Sequence, residues 1–440
     1  MKLFYFIIIL FFLNHCSFDN KSGIWENENV SKYNKENIFK EFKKISTSEN
    51  VFYEIIPFKN NYVFNTTKGI NNKKWNDIFY NSNNNLKNFS YNNLNQLNFK
   101  SKKLTKYRTN HYKLYENGNL IINDINGNII IFSISKKKII SKFNFYKKKY
   151  KKIKKKLNLI VENKIIFTAD NLGFVYAYNY EKNKIIWAKN FKIPFSSNLK
   201  IIKNKLVVSN QDNNLYILNK KNGDLLKLIP TEETPIKNQF KNNLSANKDK
   251  TLYFLNSFGS LYSINIESIT INWFNNFNQS FNLSPANLFF GNKIVNTDNE
   301  IIVSSNMKTF IINSSSGSVI KKFNFSSKTK PIIINNIVFF LTDNNLLIAL
   351  NLETKNILYS YDISKNKEFK IKNIENIPKQ IMVMNNEIFI FLKNSKTLIF
   401  GIDGQFKRIQ KLSSKIYSSP ISIDGSILYL NNNNRLMILN

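Results

Sequence analysis

Residues 163–191 read NKIIFTADNLGFVYAYNYEKNKIIWAKNF, and residues 249–277 read DKTLYFLNSFGSLYSINIESITINWFNNF. Each stretch holds an apolar run, a polar turn with Gly or Asn, a second run that ends apolar-x-apolar-Asn, and a third run after another turn. Apolar and polar residues alternate within the runs, as they do in half-buried antiparallel strands. Residues 204–230 are a third copy, so the chain is built from a repeated strand motif.

The end of the second run can be followed along the chain. It recurs at intervals of roughly 37 to 52 residues, which is the range of four-stranded propeller blades. The copies end at Ser135, Asn179, Asn219, Asn265, Asn313, Asn351, Asp403 and Asn440. A helical repeat would show a period of 3.6 residues instead. Eight returns predict an all-β, eight-bladed β-propeller of four-stranded antiparallel blades.

The last copy ends at Asn440 before any outer strand, unlike the copies that continue into WAKNF (187–191) or WFNNF (273–277). A similar stretch, WNDIF, lies far upstream at residues 75–79. We therefore predict that an N-terminal strand, Trp75–Phe79, closes the ring. Such closure would remove the exposed edge that an open sheet would leave.

The N-terminus has the pattern of an export signal. Lys2 is followed by an unbroken apolar run from Leu3 to Leu13, shorter than the roughly 20 residues of a transmembrane helix. Cys16, the single cysteine, follows this run and resembles the lipidated residue of a bacterial lipoprotein. We predict a lipoprotein signal peptide at residues 1–16, a largely irregular tether at 17–70 and the propeller at 71–440. Asn14 and His15 stand where small residues are usual, so an uncleaved anchor is the alternative.

The net charge of +35 has two readings. Asn, Lys and Ile share adenine- and thymine-rich codons, and the lysines are scattered, so codon bias accounts for part of it. The densest run lies between Lys136 and Lys156, and we interpret it first as a solvated connection between the first two blades. The alternative, behind an export signal, is binding to anionic lipid or envelope polymer and not to nucleic acid. One cysteine and two histidines exclude a zinc site of the usual Cys/His kind.

The repeat resembles the pyrroloquinoline-quinone (PQQ) propeller repeat, with Gly turns in NGDL (222–225) and SGSV (316–319) and a Trp in the outer run. With the lipoprotein signal, the tether and eight blades, the chain resembles the BamB family. That resemblance implies a non-enzymatic scaffold subunit of the outer-membrane β-barrel assembly machinery, without cofactor. It also implies a lipid anchor in the outer membrane, a periplasmic propeller, and the pore subunit and unfolded outer-membrane proteins as partners.

A PQQ-dependent dehydrogenase is the enzymatic alternative, because those enzymes share the repeat. Their chemistry needs a bound Ca²⁺, an aspartate base and a stacking platform, often with adjacent cysteines. This chain has Cys16 alone, and Asp170 and Asp403 stand at turn positions where Asp bonds its own backbone. His111 is isolated in the sequence, so no catalytic triad is indicated. We predict that the chain is not an enzyme.

Residues 229–236 read IPTEETPI, an acidic and proline-stiffened connection in a basic chain. The resemblance implies that this loop and the preceding blade connection, FKIPF (191–195), dock the pore subunit. Lys192 is the nearest cation to an arginine that the family carries there. The predicted partner-binding residues are Phe191, Lys192, Ile193, Phe195, Thr231, Glu232, Glu233 and Thr234.

Overall fold

The fold is taken from a computed structural model. It describes residues 16–18, 25–27, 51–58, 62–65, 67–233, 241–247, 250–278, 289, 291–305, 308–365 and 378–440. The chain divides into two compact units, residues 1–50 and 51–440. In the first, Cys16–Phe18 pairs antiparallel with Trp25–Asn27. Within the described ranges, no helix is long and apolar enough to cross a membrane.

The second unit is an eight-bladed β-propeller, which confirms the predicted fold. Each blade is an antiparallel sheet that runs from an inner strand at the central channel to an outer strand. The strands of blades 1 to 4 are Leu114–Glu116, Asn119–Asn123, Asn128–Ser133 and Lys138–Asn144; Leu157–Glu162, Ile165–Asp170, Phe174–Asn179 and Lys184–Asn190; Lys200–Ile202, Lys205–Ser209, Leu215–Asn219 and Leu225–Ile229; Asn243–Asn247, Thr251–Leu255, Ser260–Asn265 and Thr270–Asn276.

Blades 5 to 8 follow the same order. Their strands are Val295–Asn296, Glu300–Ser304, Thr309–Asn313 and Val319–Phe323; Ile332–Ile334, Ile337–Leu341, Leu346–Asn351 and Ile357–Asp362; Pro378–Met384, Glu387–Leu392, Lys396–Gly401 and Phe406–Lys411; Ile421–Ile423, Ser426–Leu430, Arg435–Leu439 and Leu97–Lys103. Asn88–Phe89 adds a short parallel strand at the inner edge of blade 7. A 3₁₀ turn, Lys148–Tyr150, lies between blades 1 and 2.

The ring is closed by an N-terminal strand, as predicted, but the predicted residues are wrong. Leu97–Lys103 pairs antiparallel with Arg435–Leu439 and forms the outer strand of blade 8. Trp75 instead forms an isolated bridge with Tyr115 at the channel. The stretch WNDIF resembles an outer strand in composition, yet its Trp is 2% exposed and faces the inside of the ring.

The glycine in the turn between the third and fourth strands of a blade allows close packing against the neighbouring blade. The turn into the outer strand adopts a left-handed conformation in blades 3, 5 and 7, at Gly223, Gly317 and Gly404. A Cβ on Gly223 would lie 2.4 Å from the Trp187 ring of blade 2, and one on Gly317 would lie 2.4 Å from the Trp273 ring of blade 4. A Cβ on Gly404 would likewise meet the Tyr359 ring of blade 6 at 2.5 Å, so aromatic rings of blades 2, 4 and 6 pack on glycine turns of the next blade.

The blades without such a neighbour do not keep the glycine. Lys137, Asn183, Ile269 and Lys355 hold the equivalent left-handed position in blades 1, 2, 4 and 6. Buried apolar side chains fill the space between adjacent blades, for example between blades 2 and 3 and between blades 4 and 5. The propeller core thus lies between the sheets, and the Trp–Gly contacts join the blades near their outer edge.

The propeller has two different ends. The connection end carries the links between blades and the turns between the second and third strands. The hairpin end carries the turns after the first and third strands of each blade. The predicted cluster between Lys136 and Lys156 is divided between them, because Lys136 and Lys137 form a turn at the hairpin end and residues 147–156 form a link at the connection end.

Candidate docking surface and the occupied channel

The two predicted docking segments lie at the same end of the propeller. The link FKIPF (191–195) and the start of the acidic loop both contact the turn at residues 210–213. Gln211 N donates to Pro194 O, and Thr231 Oγ1 donates to Asn213 O at 2.8 Å. The structure therefore brings the two segments together around one turn of blade 3.

The two phenylalanines of this region are packed inward. The Phe191 and Phe195 rings both contact the Tyr216 ring, with centroid distances of 5.0 and 5.4 Å. Phe195 is only 4% exposed and belongs to the core between blades 2 and 3. Lys192 is exposed, whereas Phe191, Ile193 and Pro194 are half-buried, so Lys192 is the most accessible side chain of the link.

Glu232 is held by the neighbouring blade. Its carboxylate accepts hydrogen bonds from Ser260 Oγ at 2.6 Å, Asn256 Nδ2 at 2.8 Å and Tyr262 hydroxyl at 2.9 Å. Burial by itself raises the pKa of Glu232, but the bonds from Ser260, Tyr262 and Asn256 outweigh it and leave the pKa lowered. The ionised carboxylate thus pins the acidic loop to blade 4.

The neighbouring acid, Glu233, has an exposed side chain like that of Glu232. Thr234 lies outside the described residues. Both acids of the predicted pair are exposed, but Glu232 is hydrogen-bonded to blade 4 and sets the position of the loop.

A feature that the sequence did not reveal is the occupied channel. Residues 72–89, here called the central segment, run through the ring and contact the inner strand of every blade. Trp75 exchanges two backbone hydrogen bonds with Tyr115 of blade 1, and Asn76 O accepts from Val161 N of blade 2. Asn72 bonds Ser422 of blade 8 at 2.8 Å, and Asn88–Phe89 pairs with blade 7.

The remaining blades are reached by side chains of the central segment. Asn84 Nδ2 donates to Leu244 O of blade 4 and to Ile294 O beside blade 5. Asn85 exchanges two hydrogen bonds with the Ile333 backbone of blade 6. Asparagine suits this role because its amide is both donor and acceptor. In a chain rich in Asn, that signal could not be told from codon bias.

Two lysines, the buried Lys200 and the half-buried Lys330, hold the central segment. Lys200 of blade 3 is 1% exposed, and its ammonium group donates to Asp77 Oδ2 at 2.6 Å, Asn84 Oδ1 at 2.6 Å and Asn81 O at 2.8 Å. Lys330 donates to the backbone oxygens of Phe79 and Asn84. Burial lowers the pKa of both lysines. The channel axis is therefore filled by a fixed, hydrogen-bonded part of the chain.

The residues considered for catalysis, Asp170, Asp403 and His111, make contacts that support the fold. Asp170 Oδ1 accepts from the backbone N–H groups of Leu172 and Phe174, which confirms its predicted turn role. Asp403 accepts from Gln405 N in the same manner. His111 stacks on Tyr417, with ring centroids 5.0 Å apart. Over the described part of the chain, no three or more His, Cys, Asp or Glu side chains group together as metal ligands.

Eight blades of this strand pattern, with aromatic rings seated on glycine turns, define a propeller of PQQ-like repeats. The family profile described as outer membrane protein assembly factor BamB matches residues 138–361. The chain belongs to the BamB family. Among curated protein sequences, none matches the chain.

Solved structures share the fold at low sequence identity. The crystal structure of BamB from Moraxella catarrhalis has a TM-score of 0.61 and 11% identity, and the match covers 78% of this chain and 99% of that one. Quinohemoprotein alcohol dehydrogenase from Comamonas testosteroni has a TM-score of 0.62 and 8% identity, covering 84% and 81%. The computationally designed Ika8 protein has a TM-score of 0.56 and 11% identity, covering 77% and 99%.

Proposed function

We propose that this chain is a non-enzymatic scaffold subunit of the machinery that assembles β-barrel proteins in the outer membrane. The observation that carries the proposal is the match of residues 138–361 to the assembly-factor family. On this proposal the pore subunit is the docked partner, and unfolded outer-membrane proteins are further partners. Neither nucleic acid nor a cofactor is part of the function.

The occupied channel supports a scaffold over a dehydrogenase. Ligand sites are usually concave, and the axis of a propeller is a natural place for one. Here that axis is filled by the central segment, with Trp75 2% exposed and Asn84 fully buried. The likeness to a quinohemoprotein dehydrogenase, at 8% identity, is a likeness of fold. What remains open to partners is the outside of the ring and its two ends.

The proposed placement follows from the N-terminal pattern. Residues 1–16 serve as the lipoprotein signal, Cys16 carries the lipid, and residues 17–70 tether a propeller that comprises residues 71–440. The anchor lies in the outer membrane and the propeller faces the periplasm. Mass spectrometry of the mature N-terminus tests this directly: a diacylated or triacylated Cys16 is expected, and an unprocessed Met1 would contradict it.

The proposed docking surface combines the accessible side chains of the two segments. Lys192, Glu232 and Glu233 are exposed, and Ile193 is half-buried. Phe191 and Phe195 contact each other beneath the link, and Thr231 and Glu232 hold the loop through hydrogen bonds. Thr234 is retained in the proposed surface from the sequence. A rigid loop loses little conformational entropy when a partner binds, and an exposed carboxylate pairs with Arg or Lys.

The test is a mild-detergent pull-down of the tagged full chain from envelopes. The variant Glu233→Lys is expected to lose the pore subunit at least tenfold, with an unchanged urea midpoint. The control is Glu267→Lys, which reverses an exposed acid at the hairpin end. Recovery of the pore subunit by both variants would remove Glu233 from the docking surface. A wild-type preparation without the pore subunit would refute the assembly role.

A further inference from the structure

The connection end of the channel has a wide mouth. The Phe79 and Tyr112 rings meet edge to face there, with centroids 5.3 Å apart. Three adjoining cavities surround this pair, with volumes of about 530, 310 and 100 Å³. The central segment forms their floor through Ile78 and Phe79. Together they make a concave site, here called the basic funnel, within the size range of small-ligand pockets.

Cations from many blades converge on the basic funnel. One side is lined by Lys113, Lys293, Lys328, Lys330 and Lys379. The other side is lined by Arg108, Lys154, Lys155, Lys156 and Lys241. Among the described lining residues, Asp343 is the one carboxylate, and it accepts a hydrogen bond from Ser326. Ten basic residues against one acidic residue exceed the chain-wide ratio of 64 to 29, so codon bias alone does not explain the cluster.

Most of the carboxylates that pair with lysine or arginine lie outside the basic funnel. At the hairpin end, Glu181 pairs with Lys164, Glu267 with Lys203, and Glu387 with Arg408. Of the ion pairs among described residues, only Lys200–Asp77 lies in the channel, beneath the funnel floor. Within the described ranges, no carboxylate comes within 4.0 Å of the ammonium groups of Lys113, Lys293 or Lys379.

Hydrogen bonds within the propeller fix the position of part of the basic funnel. Lys113 is 2% exposed, and its ammonium group donates to Ser418 Oγ at 2.9 Å and to Ser419 O. Burial lowers the pKa of Lys113 to about 7, because no negative charge offsets the desolvation. Lys328 donates to Asn345 Oδ1 at 3.3 Å, whereas Lys293 and Lys379 are half-buried at the wall. A buried cation without a counter-ion is stabilised by any anion that enters the funnel.

We propose that the basic funnel binds a ligand that carries two or more phosphate groups. Lysine recognises phosphate as a point charge, and ten basic residues spread around one mouth fit several separated anionic groups better than one carboxylate. The closed floor and the cavity volumes suit a small polyphosphate or a phosphorylated headgroup, not a nucleic-acid duplex. Of the basic residues of the funnel, Lys241 shares a link with the acidic loop, whereas Lys293, Lys328 and Lys379 come from other parts of the connection end.

The test is isothermal titration calorimetry of the detergent-solubilised full chain with inorganic tripolyphosphate. Saturable one-site binding is expected for the wild type. The triple variant Lys293→Gln, Lys328→Gln, Lys379→Gln should weaken it at least about tenfold, which corresponds to about 1.4 kcal/mol. The control triple, Lys136→Gln, Lys182→Gln, Lys221→Gln, removes the same charge from exposed lysines of the hairpin end and should change the affinity less than twofold.

Two further results decide the matter. Equal weakening by both triples, at unchanged urea midpoints, would mean that the overall charge and not the funnel attracts the anion, and the proposal would fail. The absence of saturable binding by the wild type would also overturn it. A bis-phosphorylated glucosamine disaccharide serves as the competitor. Displacement of tripolyphosphate identifies a lipid headgroup as the source, and failure to displace it identifies a soluble polyphosphate.

Discussion

The ammonium group of Lys200 lies 2.6 Å from Asp77 Oδ2, and both side chains are almost completely buried. This ion pair joins the inner strand of blade 3 to the central segment. Its charges are removed from water, so each depends on the other and on the nearby Asn84 and Asn81 oxygens. The pair is therefore the point at which the channel filling is most sensitive to a change of charge.

Replacement of Asp77 by Asn should leave a buried ammonium group without its counter-charge. We expect Asp77→Asn to lower the free energy of unfolding by about 3 to 5 kcal/mol. Asn keeps the oxygen that accepts from Phe79 N, so the local turn is retained. Urea denaturation measures the effect. The double variant Asp77→Asn, Lys200→Met should recover part of the loss, and a single variant within about 0.5 kcal/mol of wild type would refute the role.

Asn84 joins three blades through one side chain. Asn84→Ala would leave two blade carbonyl oxygens and part of the Lys200 ammonium group without their partner. We expect a loss of about 3 kcal/mol or more in the free energy of unfolding, since each unsatisfied buried group costs about 1 to 3 kcal/mol. Ser82→Ala is the control, because that side chain is exposed. Equal midpoints for the two variants in urea would contradict a bracing role for Asn84.

The contribution of Trp273–Gly317 packing to stability can be measured separately from the cost of backbone strain. Gly317 and Gly118 have nearly equal left-handed conformations, with φ of 76° and 74°. A Cβ on Gly317 would meet the Trp273 ring at 2.4 Å, whereas one on Gly118 would meet nothing within 4 Å. We expect Gly118→Ala to cost about 1 kcal/mol and Gly317→Ala about 3 kcal/mol. Thermal and urea unfolding of the two variants decide between packing and strain, and equal losses would rule out the packing contribution.

Lys113 should make stability depend on pH in a defined direction. Its pKa is lowered to about 7 in the fold, against 10.5 as its ordinary value, so between these values the unfolded chain binds the extra proton. Stability therefore rises with pH in this window and falls as pH drops toward 7. We expect the difference between wild type and Lys113→Met to change by at most about 1.4 kcal/mol per pH unit from pH 7 to 9. A pH-independent difference in urea midpoints would contradict the lowered pKa.

The blade repeat was readable because each blade repeats the same burial pattern. The apolar-x-apolar-Asn ending coincides with the end of the third strand at Asn179, Asn219 and Asn265. The closing strand could not be recognised from the sequence, because outer strands are largely exposed. Its sequence, LNFKSKK (97–103), has four further polar residues after Asn98 and so lacks an apolar pattern. WNDIF matched the outer-strand pattern better, although tertiary contacts with Tyr115 place it in the channel.

The site was predictable only in part. The sequence marks the acidic loop as unusual in a basic chain. It could not show that Glu232 and Glu233 have different roles, because the hydrogen-bond partners of Glu232 lie about 24 to 30 residues away in blade 4. The basic funnel was missed for a similar reason. Lys113, Lys293 and Lys379 are remote in sequence and meet only when the ring is closed. Convergence of distant side chains leaves no local pattern.

The central segment and the closing strand also constrain how the protein is made. Both precede the first blade in the chain, yet Asn72 needs Ser422 and Ser101 needs Leu436, the latter 335 positions away. During synthesis from the N-terminus, the contacts of these early segments with blade 8 cannot form until the last blade has been made. Closure of the ring and completion of the channel filling therefore coincide in one late event, and a chain interrupted before blade 8 would have neither.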